Sequence, residues 1–371
     1  MTPRAISVDV IRIPTKGPGD VSGLIRLIEA GRIDPASILA ILGKTEGNGG
    51  VNDFTREYAT SALSSALSPY LALPPNGVEE RIAFVMSGGT EGILSPHITV
   101  FTRKISDRNG SEKIAGKRLS IGIAQTRDFL PEEIGRATQV SETKKAVRTA
   151  MADAGIDDPN DVHFVQIKCP LLTSDRMEDA RGRGQKTVTS SAYGSMGYSR
   201  GASALGVAAA LGEVKGDIDD EHILKNHDLF SSVASTSSGI ELMHNVVIVM
   251  GNSSQATSSL VIGHAVMRDA IDHAAVAEAL KSVSLESNHA SSAPDRLVNI
   301  FAKAEASPDG TVRGWRHTML EDTDISATRH ARAAVGGLIG GLAGTGAVYV
   351  SGGAEHQGPP GGGPVAAIAR T

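Results

Sequence analysis

This chain is nearly without cysteine and has no excess of positive charge. It holds one cysteine, Cys169, in 371 residues. That excludes an intrachain disulfide framework and suits a reducing compartment, so a cytoplasmic location is expected. Cys169 follows Lys168, but its setting reads as that of a small apolar filler, not a reactive thiol. The formal charge of -5 and a pI near 6.1 leave no basic excess for nucleic acid or an anionic membrane as partner. The opening Met1-Thr2-Pro3-Arg4-Ala5-Ile6 lacks the long apolar core of a secretory signal. The run 333–350 carries no charge, but it is rich in glycine, broken at Gly344-Thr345-Gly346 and closed by Val348-Tyr349-Val350. A membrane span needs an unbroken apolar helix, so a small-residue helix followed by a buried strand is expected instead, in a soluble protein. The histidines show no metal-binding spacing.

What is present is repetition. Ser351-Gly352-Gly353-Ala354-Glu355 has a near copy in Ser87-Gly88-Gly89-Thr90-Glu91 and a looser one in Ser237-Ser238-Gly239-Ile240-Glu241. Each leads into an apolar run of β type, at 98–101, 246–249 and 365–368. Ahead of each, a second apolar run ends in lysine: Lys44, Lys168 and Lys303. Between lysine and serine an arginine opens a small-residue helix: Arg56, Arg200, and Arg329 with Arg332 as its near rival. The order Lys, Arg, Ser is kept in all three thirds, which is the signature of an internal repeat.

Taken in order, the first third reads as a strand over 5–13, a helix over 21–30, a strand to Lys44, the Arg56 helix and a strand over 82–86. The segment 101–117, with Asn109-Gly110, reads as a linker. The second third repeats the plan with a strand over 119–123, a helix over 142–154 and a charged, solvated insertion at 174–186. The third has a strand over 260–265, a helix over 274–285 and a flexible loop at 288–294. These patterns predict an α/β fold of three repeat units, 1–103, 112–252 and 256–371.

Three similar units can close around a pseudo-threefold axis as three subunits would. Lys44, Lys168, Lys303, the arginines and the three serine turns then converge on one central site. Its natural ligand is small, polar, acidic and itself close to threefold symmetric. A serine hydroxyl becomes a nucleophile only when a base takes its proton. Lysine can be that base when neighbouring cations and burial favour its neutral form. Turn N–H groups can then meet a developing oxyanion. The pattern therefore points to hydrolysis of an amide or imide by a Ser-Lys pair, with the arginines on the other carbonyl oxygens. The alternative from another class is a non-catalytic protein that binds a small acid between trimer-like units. Paired lysines are not required for that.

The three Lys/Arg/Ser sets, Met86-Ser87-Gly88-Gly89-Thr90-Glu91-Gly92, Gly197-Tyr198-Ser199-Arg200-Gly201 and the ending from Gly352 to Pro364 resemble the cyanuric acid hydrolase/barbiturase family over essentially the whole chain. The resemblance implies three concatenated α/β domains around a pseudo-threefold axis and hydrolytic opening of an s-triazine or pyrimidine ring. Cyanuric acid is the expected substrate and barbituric acid the nearest alternative. The second dyad is the catalytic one in that family, which carries over to Lys168 as base and to Ser237 or Ser238 as nucleophile. Ser238, which replaces a glycine and breaks the symmetry, is the favoured of the two. Substrate contacts fall to Lys44, Lys303, Arg56, Arg200, Arg329 or Arg332, and to Ser87, Gly88, Ser237, Ser238, Gly239, Ser351 and Gly352. The resemblance further implies a structural Mg²⁺ or Ca²⁺ on Glu305 and the loop residues Ala354, Gln357, Gly358, Pro359 and Gly362, an oxygen shell of the kind such ions prefer. It implies no organic cofactor, and a homotetramer.

Overall fold

A computed structural model describes residues 4–107, 116–285, 296–320 and 322–371. The turn at Asn109-Gly110 and the loop expected at 288–294 lie outside the described residues. The first unit runs β1 (Arg4–Pro14), α1 (Ser22–Glu29), β2 (Ile38–Thr45), α2 (Phe54–Leu71), α3 (Pro75–Arg81), β3 (Ala83–Gly88) and β4 (His97–Asp107). The second runs β5 (Arg118–Gln125), α4 (Ala137–Asp153), β6 (Val162–Pro170), α5 (Ser174–Gly182), α6 (Ala192–Leu211), β7 (Ala234–Gly239) and β8 (Val246–Ser253). In the third, β9 (Leu260–Met267), α7 (His273–Ser282) and β10 (Leu297–Ala304) precede a short ribbon, β11 (Thr311–Val312) and β12 (Trp315–Arg316). It ends with α8 (Ala327–Ala343), β13 (Tyr349–Gly352) and β14 (Gly363–Arg370).

The same sheet is built three times. Its strand orders are β1-β4-β2-β3, β5-β8-β6-β7 and β9-β14-β10-β13. The pairs β2/β3, β6/β7 and β10/β13, each at one edge of its sheet, are parallel, and the remaining neighbours are antiparallel. A parallel pair needs a long crossover, which α2, α6 and α8 supply. Even the irregularities repeat: the register shifts after Ile38 in β2, Val162 in β6 and Leu297 in β10. Strands buried on both faces read as continuous apolar runs, and all eight residues of β10 are buried. The inner faces of the three sheets share one core. Phe301 lies 6.1 Å from Phe101 and 5.5 Å from Phe164, ring to ring, so each sheet sends a phenylalanine to the centre. The outer faces pack against helices in separate clusters.

Two sequence expectations are corrected. Strand β4 continues to Asp107 because it pairs residue for residue with β1 down to Arg4, so the first half of the segment read as linker is sheet. Arg200 does not open its helix: α6 begins at Ala192, where the Ser191 side chain accepts from Gly194 N–H and so caps the first turn. The charged insertion carries its own helix, α5, with one buried residue, Ala180. Among the described residues no helix is long and apolar enough to cross a membrane. The charge-free run is α8 followed by β13, as expected.

One seam between sheets is polar. His163, at the β6 irregularity, meets His264 of β9 with Nδ1 atoms 2.8 Å apart. Its counterparts at the other two irregularities are Leu39 and Val298. Burial, then the neighbouring His264, pushes His163 from 6.5 down to about 4, against a weaker pull from Asp161. The folded pair therefore refuses protons that the unfolded chain takes up. Stability should be full above pH 6.5 and fall as the pH drops from 6.5 towards 4. His163→Val is expected to flatten that part of the melting temperature profile, and an unchanged slope would show that the pair does not titrate there.

Candidate active site

The strand register brings each lysine beside a serine. Lys44 stands opposite Ser87, Lys168 opposite Ser237 and Lys303 opposite Ser351, at the carboxyl ends of the three parallel pairs. All three lysines are buried, at 1%, 1% and 0% exposure. In the first and third units the lysine holds its serine. Lys44 Nζ donates to Ser87 Oγ at 3.1 Å and to the Gly88 carbonyl at 3.3 Å. Lys303 Nζ donates to Ser351 Oγ at 3.1 Å and to the Gly352 carbonyl at 3.0 Å. With a lysine donating to its oxygen, the Ser87 hydroxyl keeps its own proton to donate, and Ser351 does so where Ser237 is the donor in the hydrogen bond they share.

A cavity sits between the three turns, lined by Ser87, Ser237, Ser238 and Ser351, by Arg56, Arg200 and Arg332, and by Gly49, Gly88, Gly352 and Met196. Each arginine comes from one unit and reaches the serine turn of another. Arg200 clamps Glu355 through Nε at 2.8 Å and Nη2 at 2.5 Å, and Arg332 clamps Glu91 through Nε at 2.8 Å and Nη2 at 2.6 Å. Arg329 lies outside. Its side chain is 47% exposed against 3% for Arg332, and it lines only an outer cavity shared with Tyr193 and Asn52. Counting from the helix cap points to Arg329, which occupies in α8 the place of Arg56 in α2, yet the residue one turn further on enters the site.

The second unit keeps the register and the burial but departs from the pattern in what its lysine and serine hold. Ser237, not the favoured Ser238, is the register partner of Lys168; Ser238 lies opposite Cys169. Lys168 Nζ pairs with Glu241 Oε1 at 2.6 Å and donates to the Met86 carbonyl at 3.4 Å. Ser237 Oγ is left to share a hydrogen bond with Ser351 Oγ at 3.2 Å. Ser238 Oγ accepts from Arg200 Nη1 at 3.3 Å, and its carbonyl accepts from Arg56 Nη1 at 2.9 Å. Gly239, opposite Pro170, extends the parallel pairing one residue beyond its counterparts Gly89 and Gly353.

Burial dominates the electrostatics. It pushes Lys44 well down, helped by Arg332, and lowers Lys303 to about 7, helped by Arg200. Lys168 is also lowered by burial, but the Glu241 carboxylate opposes the shift. Cys169 is buried, and burial raises its thiol, so it is a poor nucleophile.

The carboxylate expected to hold a cation, Glu305, lies near Glu355 and the end of the Gly/Pro-rich loop. Burial and then Glu355 raise it to about 7, against the weaker pull of Arg200 and Lys303. The Gln357 side chain is otherwise engaged: Oε1 accepts from Thr236 N–H at 2.7 Å, and Nε2 donates to the Gly353 and Glu355 carbonyls. Residue 357 is left with its backbone oxygen and the second lone pair of Oε1 to offer. The carbonyls of Ala354 and Pro359 each accept one turn hydrogen bond and keep a second lone pair, while Gly358 and Gly361 bend the loop around them; Gly362 donates its N–H to the Pro359 carbonyl. No group of three His, Cys, Asp or Glu side chains that could hold a metal occurs among the described residues.

Tyr349 was not legible as a site residue. It is fully buried two positions before Ser351, its hydroxyl has no hydrogen-bond partner, and the side chains acting on that hydroxyl are Ser87 and Ser237. Its counterparts by register are Val85 and Ser235, so a break in the repeat was the only available signal.

The sequence profile described as amidohydrolase ring-opening protein matches residues 9–370. A cyanuric acid amidohydrolase of Bradyrhizobium diazoefficiens is 73% identical, covering 99% of this chain and 99% of its own. One from Pseudomonas sp. strain ADP is 60% identical, covering 98% and 99%. Among solved structures, a cyanuric acid hydrolase described as an innovation by structural concatenation superposes with a TM-score of 0.94 at 59% identity, over 99% of this chain and 100% of its own. A cyanuric acid hydrolase from A. caulinodans gives a TM-score of 0.89 at 50% identity, over 99% of each chain.

Proposed function

The chain belongs to the amidohydrolase ring-opening family and is a hydrolase of cyclic amides, and from that premise we propose that it opens cyanuric acid with Lys168 as base and Ser237 as nucleophile. The single observation that carries the substrate is the convergence on one cavity of the serines of three like turns and of three arginines, one from a helix of each unit. A ring with three equivalent carbonyls matches that arrangement, and the relatives named for cyanuric acid support it.

Neutral Lys168 takes the hydroxyl proton of Ser237 as the oxygen attacks one ring carbonyl. The C–N bond breaks, and the leaving ring nitrogen receives that proton from the Lys168 ammonium. Water, activated by the same lysine, then cleaves the acyl-enzyme to carboxybiuret, which loses CO₂ to give biuret. Ser87 and Ser351, held from behind by Lys44 and Lys303, donate to the two other carbonyls. Arg56, Arg200 and Arg332 supply positive charge around the ring, stabilising oxygen charge as it develops. Glu241 and the serine choice make the second dyad differ from its copies, which supports placing the chemistry there.

A divalent cation on Glu305 and loop carbonyls would supply charge to the paired carboxyl groups and fix the turn that carries Ser351 and Glu355. The protein stripped with chelator is therefore expected to gain melting temperature on addition of Mg²⁺ or Ca²⁺, and Glu305→Gln to lose that gain. Equal melting with and without either ion would remove the cation from the reading.

Purified protein given cyanuric acid and barbituric acid side by side, followed by loss of ultraviolet absorbance, tests the whole assignment. Turnover of cyanuric acid alone is the expected result. Turnover of barbituric acid alone would keep the mechanism and change the substrate. Tight binding of either ring without turnover would leave a binding protein.

A further inference from the structure

The three units make two Arg–Glu clamps where symmetry calls for three. Arg200 closes on Glu355 and Arg332 on Glu91, each with Nε and Nη2. Arg56 occupies the third position, and its counterpart carboxylate would be Glu241. Instead Glu241 sits on Lys168 at 2.6 Å. The cost of this arrangement is visible on both sides. Arg56 Nε is buried with no partner, and Lys168 makes no hydrogen bond to Ser237 although Lys44 and Lys303 both hold their serines. The Glu241 side chain is 35% exposed, so it is not packed in on every side. The hinge is present as well. Gly89 and Gly353 turn at φ +109° and +75°, whereas Gly239 stays extended and the Glu241 carboxylate occupies the space a Cβ there would fill. Glycine can take either conformation without strain.

We propose that Glu241 is a two-position carboxylate that gates the second dyad: on Lys168 it holds that lysine as an ammonium ion away from Ser237, and on Arg56 it completes the third clamp and releases the lysine to the serine. The gate rests on the reading of Lys168 as base. Opening it passes the ammonium proton to solvent water, and Glu241 remains a carboxylate in both positions. The groups facing the pair are Arg56 and Cys169 around Lys168, with Arg56 and Arg176 around Glu241. Burial pushes Glu241 up, but Lys168 and Arg56 together outweigh it and keep the carboxyl down at about 2, so on Lys168 it is charged at working pH. A substrate carbonyl approaching Arg56 is the event that would draw the carboxylate across.

The test is Glu241→Gln, followed as kcat and KM on cyanuric acid across pH. Loss of the carboxylate removes what favours the lysine's charged form, so the acidic limb of kcat/KM should move down by about one pH unit or more. Loss of the third clamp should raise KM by about tenfold, the scale of one charge-assisted hydrogen bond. An unmoved limb overturns the seat on Lys168 and with it the proposal. A shifted limb with unchanged KM overturns the seat on Arg56. Lys168→Ala measured alongside separates the two levels: an active variant sinks the dyad reading itself, whereas an inactive one with an unmoved Glu241→Gln limb sinks only the gate. Glu241→Ser carries the same test should the glutamine variant not fold.

Discussion

Lys168→Ala should lower kcat on cyanuric acid by about 10³-fold, the range in which removal of a general base falls, and leave a folded protein. Lys44→Ala and Lys303→Ala should each retain far more activity. The three lysines have the same burial and the same place in the sheet, so the expected difference comes from what each holds. Lys44 and Lys303 are bonded to Ser87 and Ser351, and losing either one loosens a serine that in the proposed mechanism positions the ring without attacking it. Lys168 is not bonded to its serine and is the one lysine of the three paired with a carboxylate. Removing it leaves Glu241 with Arg56 as a neighbouring charge, so the fold should not be left with an isolated buried ion. Equal loss in all three variants, with melting temperatures preserved, would rule out one special dyad while keeping the common site.

Ser237→Ala should match that loss, and the double variant with Lys168→Ala should be no worse than either single one, since groups acting in one step are not additive. Ser238→Ala is expected to stay within about tenfold of the parent, the scale of one hydrogen bond to a charged group. What it removes is one long hydrogen bond from Arg200; its carbonyl, which accepts from Arg56, survives the substitution. The favoured residue from symmetry-breaking was Ser238, and the register argues for Ser237, because neighbours on parallel strands face the same side while the next residue faces the other. A dead Ser238→Ala beside an active Ser237→Ala would return the nucleophile to Ser238.

The repeat itself was determined by the sequence alone. Lysine at a strand end, serine before glycine and glutamate, and an apolar run after each are local patterns. Strand periodicity and the need to cross over between parallel strands turn them into three like sheets. Burial of Lys44, Lys168 and Lys303 follows from their place at the ends of apolar runs. Where reasoning depended on distance along a helix, it failed. Arg56 is the third residue of α2, Arg332 the sixth of α8 and Arg200 the ninth of α6, so a shared position relative to the cap does not exist. Which arginine enters the cavity is set by how each helix lies on its sheet, and that is a property of packing. The linker was misplaced because β4 is held beyond its apolar part by backbone pairing with β1, which charged side chains do not prevent. The Lys168–Glu241 pair, the unpartnered Arg56 Nε and the buried Tyr349 hydroxyl were decided only by tertiary structure. The first is a contact between β6 and the turn after β7 within the second unit, and the other two depend on contacts between units, where copies that look alike in sequence meet different neighbours.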